Sequence, residues 1–345
     1  MQTSISSNID IKENSLLKID KELLEILLKD KSTKKNIIWA TDNYKKYGEK
    51  YFFDKQIFTE LITSFHGNII KPRTEKSKAE QQQRVRQKAE VFTPSWVCNK
   101  QNNLLDNAWF GRENVFNVET NDGWQTNFEK ITFESGGLGV QNGNGEAKSK
   151  TWKDYVELNR MEISCGEAPY ITSRYDATTG DYIDVKNRIG LLDRKLRVVS
   201  ENTEAIDEWL KWAFTAVKSV YGFDWQGDNV LIARENVLFT VIEFYKEKFS
   251  CEIETSQLLE FAKIICWNIW QMDGLKFVVP ESCTKQKKQA DTSFLFEEMF
   301  EKEEFTKCEG CKKGDNTKHT GIYCKIMDWK TGKTVRYVDL VTKGE

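Results

Sequence analysis

The sequence predicts an α/β fold in which a mostly parallel sheet carries helices on both faces, with N-terminal helical and small C-terminal additions. Short apolar segments at 160–165 and 221–225 indicate strands, and the longer segments 204–220 and 230–245 repeat apolar residues at helical spacing. Strands that alternate with helices are typical of parallel sheets, because a helical crossover carries the chain back to begin the next strand in the same direction.

Changes in composition divide the chain into three parts. Residues 1–84 form an N-terminal helical and basic region, 85–300 form the α/β domain, and 301–345 form an appendage that contains cysteines. A loop insertion is expected near 111–150, since Gly and Asn dominate at 135–147.

Bulk composition is that of a globular protein, with 39% hydrophobic and 30% charged residues. A net charge of −2 excludes binding to nucleic acid through bulk positive charge. The chain begins Met1-Gln2-Thr3-Ser4 without an apolar leader, and no apolar run approaches the roughly 20 residues that span a bilayer. We therefore expect a cytoplasmic protein that makes no membrane contact, with its cysteines reduced.

Positive charge is concentrated between Lys71 and Lys100, where eight basic residues stand against three acidic ones. Such a strip is suited to contact DNA phosphates. It is equally the composition of a solvated helix face. The candidate DNA contacts are Lys71, Arg73, Arg84, Arg86 and Lys88.

Four short motifs follow one another between about residues 85 and 280. They are Phe92-Thr93-Pro94, the segment from Glu162 to Cys165-Gly166, the segment Tyr221-Gly222-Phe223-Asp224, and Gln271-Met272-Asp273-Gly274. In this order they resemble the N6-adenine DNA methyltransferases of restriction–modification systems, particularly restriction endonuclease subunit M.

The resemblance implies a Rossmann-like methyltransferase fold that binds S-adenosylmethionine and double-stranded DNA, with a restriction or specificity subunit as a further partner. It assigns Phe92, Thr93 and Pro94 to the methionine end of the cofactor. The turn carrying Glu162, Cys165 and Gly166 would surround the same ligand. Asp224 would hold the ribose, and Asp273 would meet the adenine ring. Ligands of open parallel sheets do bind at the carboxyl ends of the strands.

Two features depart from the family's pattern around the cofactor. The residue after Gly166 is the charged Glu167, where a second small residue is expected. Asp224 follows Gly166 by 58 positions, whereas comparable sites separate the turn and the acid by roughly 20. Asp176 and Glu201 are therefore alternative candidates for the ribose-binding acid.

Catalysis in this family depends on an Asn-Pro-Pro-Tyr or Asp-Pro-Pro-Tyr loop that holds the flipped adenine. This chain has four prolines, and no two are adjacent. The catalytic residues therefore remain unassigned, and two hypotheses stay open. One is a methyltransferase with an unorthodox loop. The other is an inactive component of a defence system that binds DNA or a partner protein.

The C-terminal appendage carries a candidate metal site. Cys308 and Cys311 have knuckle-like spacing, and His319 and Cys324 would complete a tetrahedral Zn²⁺ site. The alternative is a basic surface loop with incidental thiols.

Overall fold

The computed structural model describes residues 13–88, 92–133, 150–283, 286–287, 305–306 and 308–342. Its α-helices are α1 (Glu13–Ile19), α2 (Lys21–Leu27), α3 (Thr59–Ile62), α4 (Lys78–Lys88), α5 (Ser95–Phe110), α6 (Trp152–Glu157), α7 (Leu191–Asn202), α8 (Ile206–Lys218), α9 (Gly227–Phe249), α10 (Thr255–Asn268), α11 (Glu309–Lys313) and α12 (Tyr337–Val341). Its strands are β1 (Asn117–Glu119), β2 (Trp124–Thr126), β3 (Arg160–Ile163), β4 (Val220–Asp224), β5 (Ile269–Gln271), β6 (Gln286–Lys287), β7 (Phe305–Thr306), β8 (Lys325–Asp328) and β9 (Lys333–Arg336).

A small parallel sheet organises the candidate cofactor residues. Its strand order is β3-β4-β5, with Arg160 opposite Val220 and Gly222 opposite Ile269. The predicted pairing of 160–165 with 221–225 is confirmed. β3 lies at the edge of the sheet, and its Ile163 side chain is 70% exposed.

The predicted fold class is wrong, because the described residues contain no large parallel sheet with helices on both faces. Beyond the three parallel strands, they form separate two-stranded antiparallel sheets, β1-β2, β6-β7 and β8-β9. The physical reason lies in the connections. Between β3 and β4 the chain forms α7 and α8 without a further strand, and after β5 it turns into the C-terminal appendage. The protein is mixed α/β with small sheets, and Rossmann-like architecture is not supported.

The core is built mainly by helices packed on one another. The expected helices at 204–220 and 230–245 are confirmed as α8 and α9. α9 is buried over most of its length, and its buried residues include charged side chains such as Arg234 and Glu243 beside the apolar ones. Its Arg234 donates through Nε to the Ile269 carbonyl at 2.8 Å and through Nη1 to the Lys29 carbonyl at 3.1 Å. This guanidinium ties the N-terminal helices to the end of the sheet.

α9 begins at a point of close backbone approach. A Cβ atom on Gly227 would lie 2.0 Å from the Ile38 carbonyl oxygen, so only glycine fits there. The Gly227 N–H also donates to the Trp39 carbonyl at 3.3 Å. The contact holds the segment around Trp39 against the first turn of α9, where Asp228 lies.

The expected loop near 111–150 contains the hairpin β1-β2, and its Gly/Asn-rich part at 135–147 lies outside the described residues. Among the described helices, none combines the length and the apolar character needed to cross a bilayer.

Candidate functional site

The turn after β3 has an unusual backbone. Gly166 has a φ of +53°, and Ser164 and Ala168 also lie in the left-handed region, with φ of 51° and 64°. The Ala168 N–H closes the turn on the Cys165 carbonyl at 2.7 Å. Left-handed backbone at residues with a Cβ costs about 1–3 kcal/mol each, and such strain concentrates at functional sites.

Asp224 lies beside this turn despite the long sequence separation. The Gly166 N–H donates to Asp224 Oδ2 at 3.0 Å, across 58 positions of sequence. The helices α7 and α8 occupy the intervening segment, which explains the spacing. Of the two alternative acids, Asp176 accepts from the Ser95 N–H at 2.6 Å, directly after Pro94, whereas Glu201 accepts from the Ile131 N–H at 2.9 Å.

The Asp224 carboxylate is largely occupied by the protein itself. Oδ1 accepts from the Gln226 N–H at 2.9 Å and from the Asn229 amide at 3.4 Å. With Gly166 on Oδ2, three of the roughly four acceptor positions of a carboxylate are filled. Burial raises the pKa of Asp224 to about 6, while the hydrogen bonds from Gln226 and Gly166 lower it.

The Phe92-Thr93-Pro94 segment lies against the same turn. A Cβ built on Gly166 would be 3.7 Å from Phe92 Cε1, an ordinary van der Waals contact. The Thr93 carbonyl faces the Cys98 thiol at 3.8 Å, and Pro94 directly precedes α5. The expected proximity of this segment to Cys165-Gly166 is therefore confirmed.

Two acidic residues near the turn, Glu162 and Glu167, form hydrogen bonds within the protein. Glu162 is buried and accepts from the Ile171 N–H at 3.1 Å. Burial raises the pKa of Glu162 to about 8 against the opposing effect of backbone hydrogen bonds from Tyr170 and Ile171. Glu167 accepts from the Arg73 N–H at 2.6 Å and from the Tyr175 hydroxyl at 2.7 Å. The carboxylate of Glu167 is thus buried and hydrogen-bonded to the protein itself.

Asp273 follows β5 and shapes the next turn. Its Oδ1 accepts from the Leu275 N–H at 3.0 Å, and its Oδ2 forms an ion pair with Lys276 at 2.9 Å. The Asp273 N–H donates to the Val278 carbonyl at 2.8 Å, and Val278 bridges to Tyr323. This connection attaches the C-terminal appendage to the carboxyl end of the sheet.

A second candidate site lies in the appendage, where three thiols and one imidazole converge. The ligand atoms of Cys283, Cys308, Cys311 and His319 all lie within 4.8 Å of one another. Cys283 Sγ is 3.5 Å from Cys311 Sγ, and His319 Nδ1 is 3.5 Å from Cys308 Sγ and 3.6 Å from Cys311 Sγ. Zn–S bonds of about 2.3 Å in a tetrahedron separate the ligand atoms by about 3.8 Å. These four residues can hold a metal ion.

The local sequence brings these groups together through close backbone packing. The Cys311 N–H donates to Cys308 Sγ at 3.2 Å, forming the first turn of α11. A Cβ on Gly310 would lie 2.8 Å from both His319 Nδ1 and the Asp315 carbonyl, so glycine is required between the two cysteines. Burial opposes ionisation of Cys308, but hydrogen bonds from Cys283 and from backbone N–H groups hold its pKa well below the usual thiol range.

The predicted ligand set needs one correction. Cys324 is fully buried outside this cluster, where its thiol donates to the Gln271 carbonyl at 3.4 Å. Cys283 takes the fourth position instead. Cys283 was not among the predicted ligands, because it lies 25 positions before Cys308 and outside the predicted appendage. A single thiol at that distance carries no spacing signal.

The basic residues between Lys71 and Lys100 differ in their exposure to solvent. Arg84 is buried and forms an ion pair with Asp228 at 2.8 Å, so it is not an exposed phosphate contact. Arg86 is exposed on the same helix, and the guanidinium of Arg73 lies 5.1 Å from the centre of the Phe92 ring. Lys71 is half-buried at the rim of a cavity, and the side chain of Lys88 lies outside the described residues.

Comparisons with models of protein families, with curated proteins and with solved structures found no match to this chain.

Proposed function

We propose that this protein binds S-adenosylmethionine and double-stranded DNA as a component of an adenine-N6 methylation system of the restriction–modification type. In this proposal the isolated chain does not transfer the methyl group by itself. A restriction or specificity subunit, or another chain, would supply the groups that hold the adenine.

The observation that carries the proposal is the convergence of Phe92, Gly166 and Asp224. These residues come from three distant parts of the sequence, yet Phe92 and Asp224 both contact the Gly166 turn. An aromatic ring, a glycine backbone and a carboxylate at the carboxyl ends of neighbouring parallel strands suit a nucleoside ligand. The remaining acceptor position of Asp224 is sufficient for one ribose hydroxyl.

A surface groove supports DNA as the macromolecular partner. It has a volume of about 360 Å³ and lies beside α4. No carboxylate is among the groups that line it, which are Arg73, Lys78, Gln81, Gln82, Val85 and Arg86. Cations and amides of this kind bind phosphates without reading bases. Arg73 also lies over the Phe92 ring, so DNA bound in the groove would pass beside the proposed cofactor turn.

We further propose zinc as the metal of the Cys/His cluster. Three thiols with one imidazole are a ligand set that favours Zn²⁺ over Mg²⁺ or Ca²⁺, and a closed set of four protein ligands is typical of a structural site. His319 Nε2 is buried without a hydrogen-bond partner among the described residues, which leaves Nδ1 as the nitrogen directed at the thiols. Zinc here would fix the appendage against the end of β5.

Because the Pro-Pro loop is missing, binding of DNA and cofactor is proposed for this chain but methyl transfer is not. Without the Asn-Pro-Pro-Tyr or Asp-Pro-Pro-Tyr loop, no Asn or Asp is assigned to hold the exocyclic amine, and such positioning contributes several kcal/mol to reactions of this kind. This favours a component that binds DNA and cofactor and depends on another chain for transfer.

Labelled methyl transfer and DNA binding together test this proposal. With tritiated S-adenosylmethionine and mixed-sequence duplex, we expect transfer by the purified full-length chain to stay at background. DNA binding should weaken steeply with salt, because phosphate contacts release counterions. Arg86→Glu should weaken binding to all duplexes about equally, whereas the exposed Lys263→Glu on α10 should not. Robust adenine methylation by the isolated chain, or absence of DNA binding at low salt, would contradict it.

A further inference from the structure

The segment from Asp273 to Cys283 joins the end of β5 to the Cys/His cluster. It begins with a tight turn, in which the Phe277 N–H donates to the Asp273 carbonyl at 2.7 Å. The ion pair between Lys276 and Asp273, at 2.9 Å, closes the same turn. The last residue of the segment, Cys283, is one of the four candidate metal ligands. One short stretch of chain therefore connects the two candidate sites.

The turn packs against the end of β4, which borders the proposed cofactor site. A Cβ atom on Gly274 would lie 2.9 Å from the Phe223 ring, so the turn and this ring are in close contact. The Met272 N–H donates to the Asp224 carbonyl at 2.9 Å, directly before the turn. A displacement of the turn would therefore change the backbone environment of Asp224.

The rest of the segment is hydrogen-bonded to the stretch of chain that follows His319. The Val279 N–H donates to the Ile322 carbonyl at 2.8 Å, and the Ile322 N–H donates to Ser282 Oγ at 3.0 Å. Cys283 comes directly after these contacts, and its sulfur lies 3.7 Å from His319 Nδ1. One metal ion bound to Cys283 and His319 would therefore hold the two stretches together.

Two residues of the segment have a strained backbone. Phe277 and Glu281 have φ of 59° and 58°, in the left-handed region that residues with a Cβ rarely adopt. Such conformations cost about 1–3 kcal/mol each and persist only where the surrounding structure enforces them. Because Cys283 comes shortly after Glu281, a metal bond at this cysteine would restrain the strained backbone. Without the metal, the segment can relax and release the turn.

We propose that metal binding at the Cys/His cluster controls cofactor binding, because the ion locks the segment 273–283 against the end of β4. Metal-loaded protein holds the turn beside Asp224, and metal-free protein releases it. Control of S-adenosylmethionine in this way rests on the proposed function, whereas ordering of the turn by metal does not. Coupling between two binding sites is reciprocal, so bound cofactor strengthens metal binding by the same factor.

Hydrogen exchange tests the ordering of the turn without any ligand. Zinc-loaded, full-length protein is compared with the same protein after a chelator has removed the metal. We expect residues 274–282 to exchange faster in the metal-free protein, while the buried helix α9 keeps its protection. Cys311→Ser removes one ligand without changing the segment itself, and it should reproduce the effect of the chelator. Unchanged exchange at 274–282 after loss of the metal, or purified protein that binds no zinc, would overturn the proposal.

Calorimetry with S-adenosylmethionine tests the coupling between the two sites. Coupling of this kind typically changes affinity by about 5–150-fold, so we expect Cys311→Ser to bind the cofactor at least about fivefold more weakly than zinc-loaded wild type. Wild type treated with chelator replaces this variant if it fails to fold. Cys251→Ser removes an exposed thiol outside the cluster and should change neither the zinc content nor the affinity. Saturating cofactor should also slow the transfer of zinc from wild type to a colorimetric chelator.

The outcomes of the titration distinguish this coupling from the proposed function. Zinc-loaded wild type that binds no S-adenosylmethionine would contradict the proposed function, and the control of cofactor binding by metal would fall with it. Equal affinity in zinc-loaded wild type and in folded, metal-free protein would overturn the control by metal alone, and cofactor binding itself would stand.

Discussion

Cys283→Ser is expected to remove zinc from a protein that otherwise carries about one equivalent. Three protein ligands remain in the variant, but a structural zinc site needs four, and the binding free energy of such sites is about 10–16 kcal/mol in zinc-finger peptides. Because the metal would connect Cys283 with the segment from Cys308 to His319, its loss should loosen the appendage before the helical core. Elemental analysis and limited proteolysis of protein prepared without chelator measure both effects.

Cys324→Ser is the control, since it removes a cysteine thiol that lies outside the cluster. Its sulfur contacts the Gln271 carbonyl and lies outside the cluster, so the zinc content should not change. Loss of zinc in Cys324→Ser with retention in Cys283→Ser would contradict the ligand set. Zinc-free wild-type protein would contradict the metal site itself.

Arg84→Ala is expected to destabilise the protein strongly, by about 3 kcal/mol, because it removes the closer of two cationic partners of a buried carboxylate and leaves Lys76 at 3.6 Å, without a hydrogen bond among the described residues. Arg84 pairs with Asp228, which is fully buried, and donates to the Tyr44 hydroxyl at 2.9 Å. Although burial opposes ionisation, Arg84 and Lys76 hold the pKa of Asp228 well below its usual range. A depressed pKa means that this stabilisation is present at neutral pH and is lost as the pH falls below the usual aspartate value.

Arg86→Ala offers the control on the same helix, two residues further along. Arg86 is exposed, and its removal should change the free energy of unfolding by less than about 0.5 kcal/mol. Urea unfolding of both variants at pH 7 gives the comparison. Equal stability of the two variants would show that the Arg84–Asp228 pair contributes nothing to the fold.

Local signals in the sequence predicted local structure well. The apolar periodicity of 204–220 and 230–245 located α8 and α9, because a helix that packs on a core must repeat its apolar residues at about 3.6-residue intervals. The size of the sheet was not predictable in this way. Strand-and-helix alternation is the same for three parallel strands as for seven, and the number is decided by long-range pairing.

The candidate sites were also predictable only where the signal is local in the sequence. Cys308 and Cys311 form one helical turn, so their spacing reveals a metal motif. Cys283 joins them only through tertiary contacts, and the equally plausible Cys324 is used in packing. Arg84 belongs to a basic strip by composition, yet helix geometry turns it inward towards Asp228 while Arg86 faces solvent. Charge in a sequence does not reveal which face of a helix carries it.

Calorimetric titration of the zinc-loaded, full-length chain with S-adenosylmethionine tests the proposed function most directly. The convergence of Phe92 and Asp224 on the Gly166 turn predicts saturable binding of one cofactor per chain. Asp224→Asn should weaken that binding at least tenfold, while Asp207→Asn, exposed at the start of α8, should leave it unchanged. Absence of measurable binding by folded wild-type protein, or identical affinity in the Asp224→Asn variant, would contradict the assignment of this turn to the cofactor.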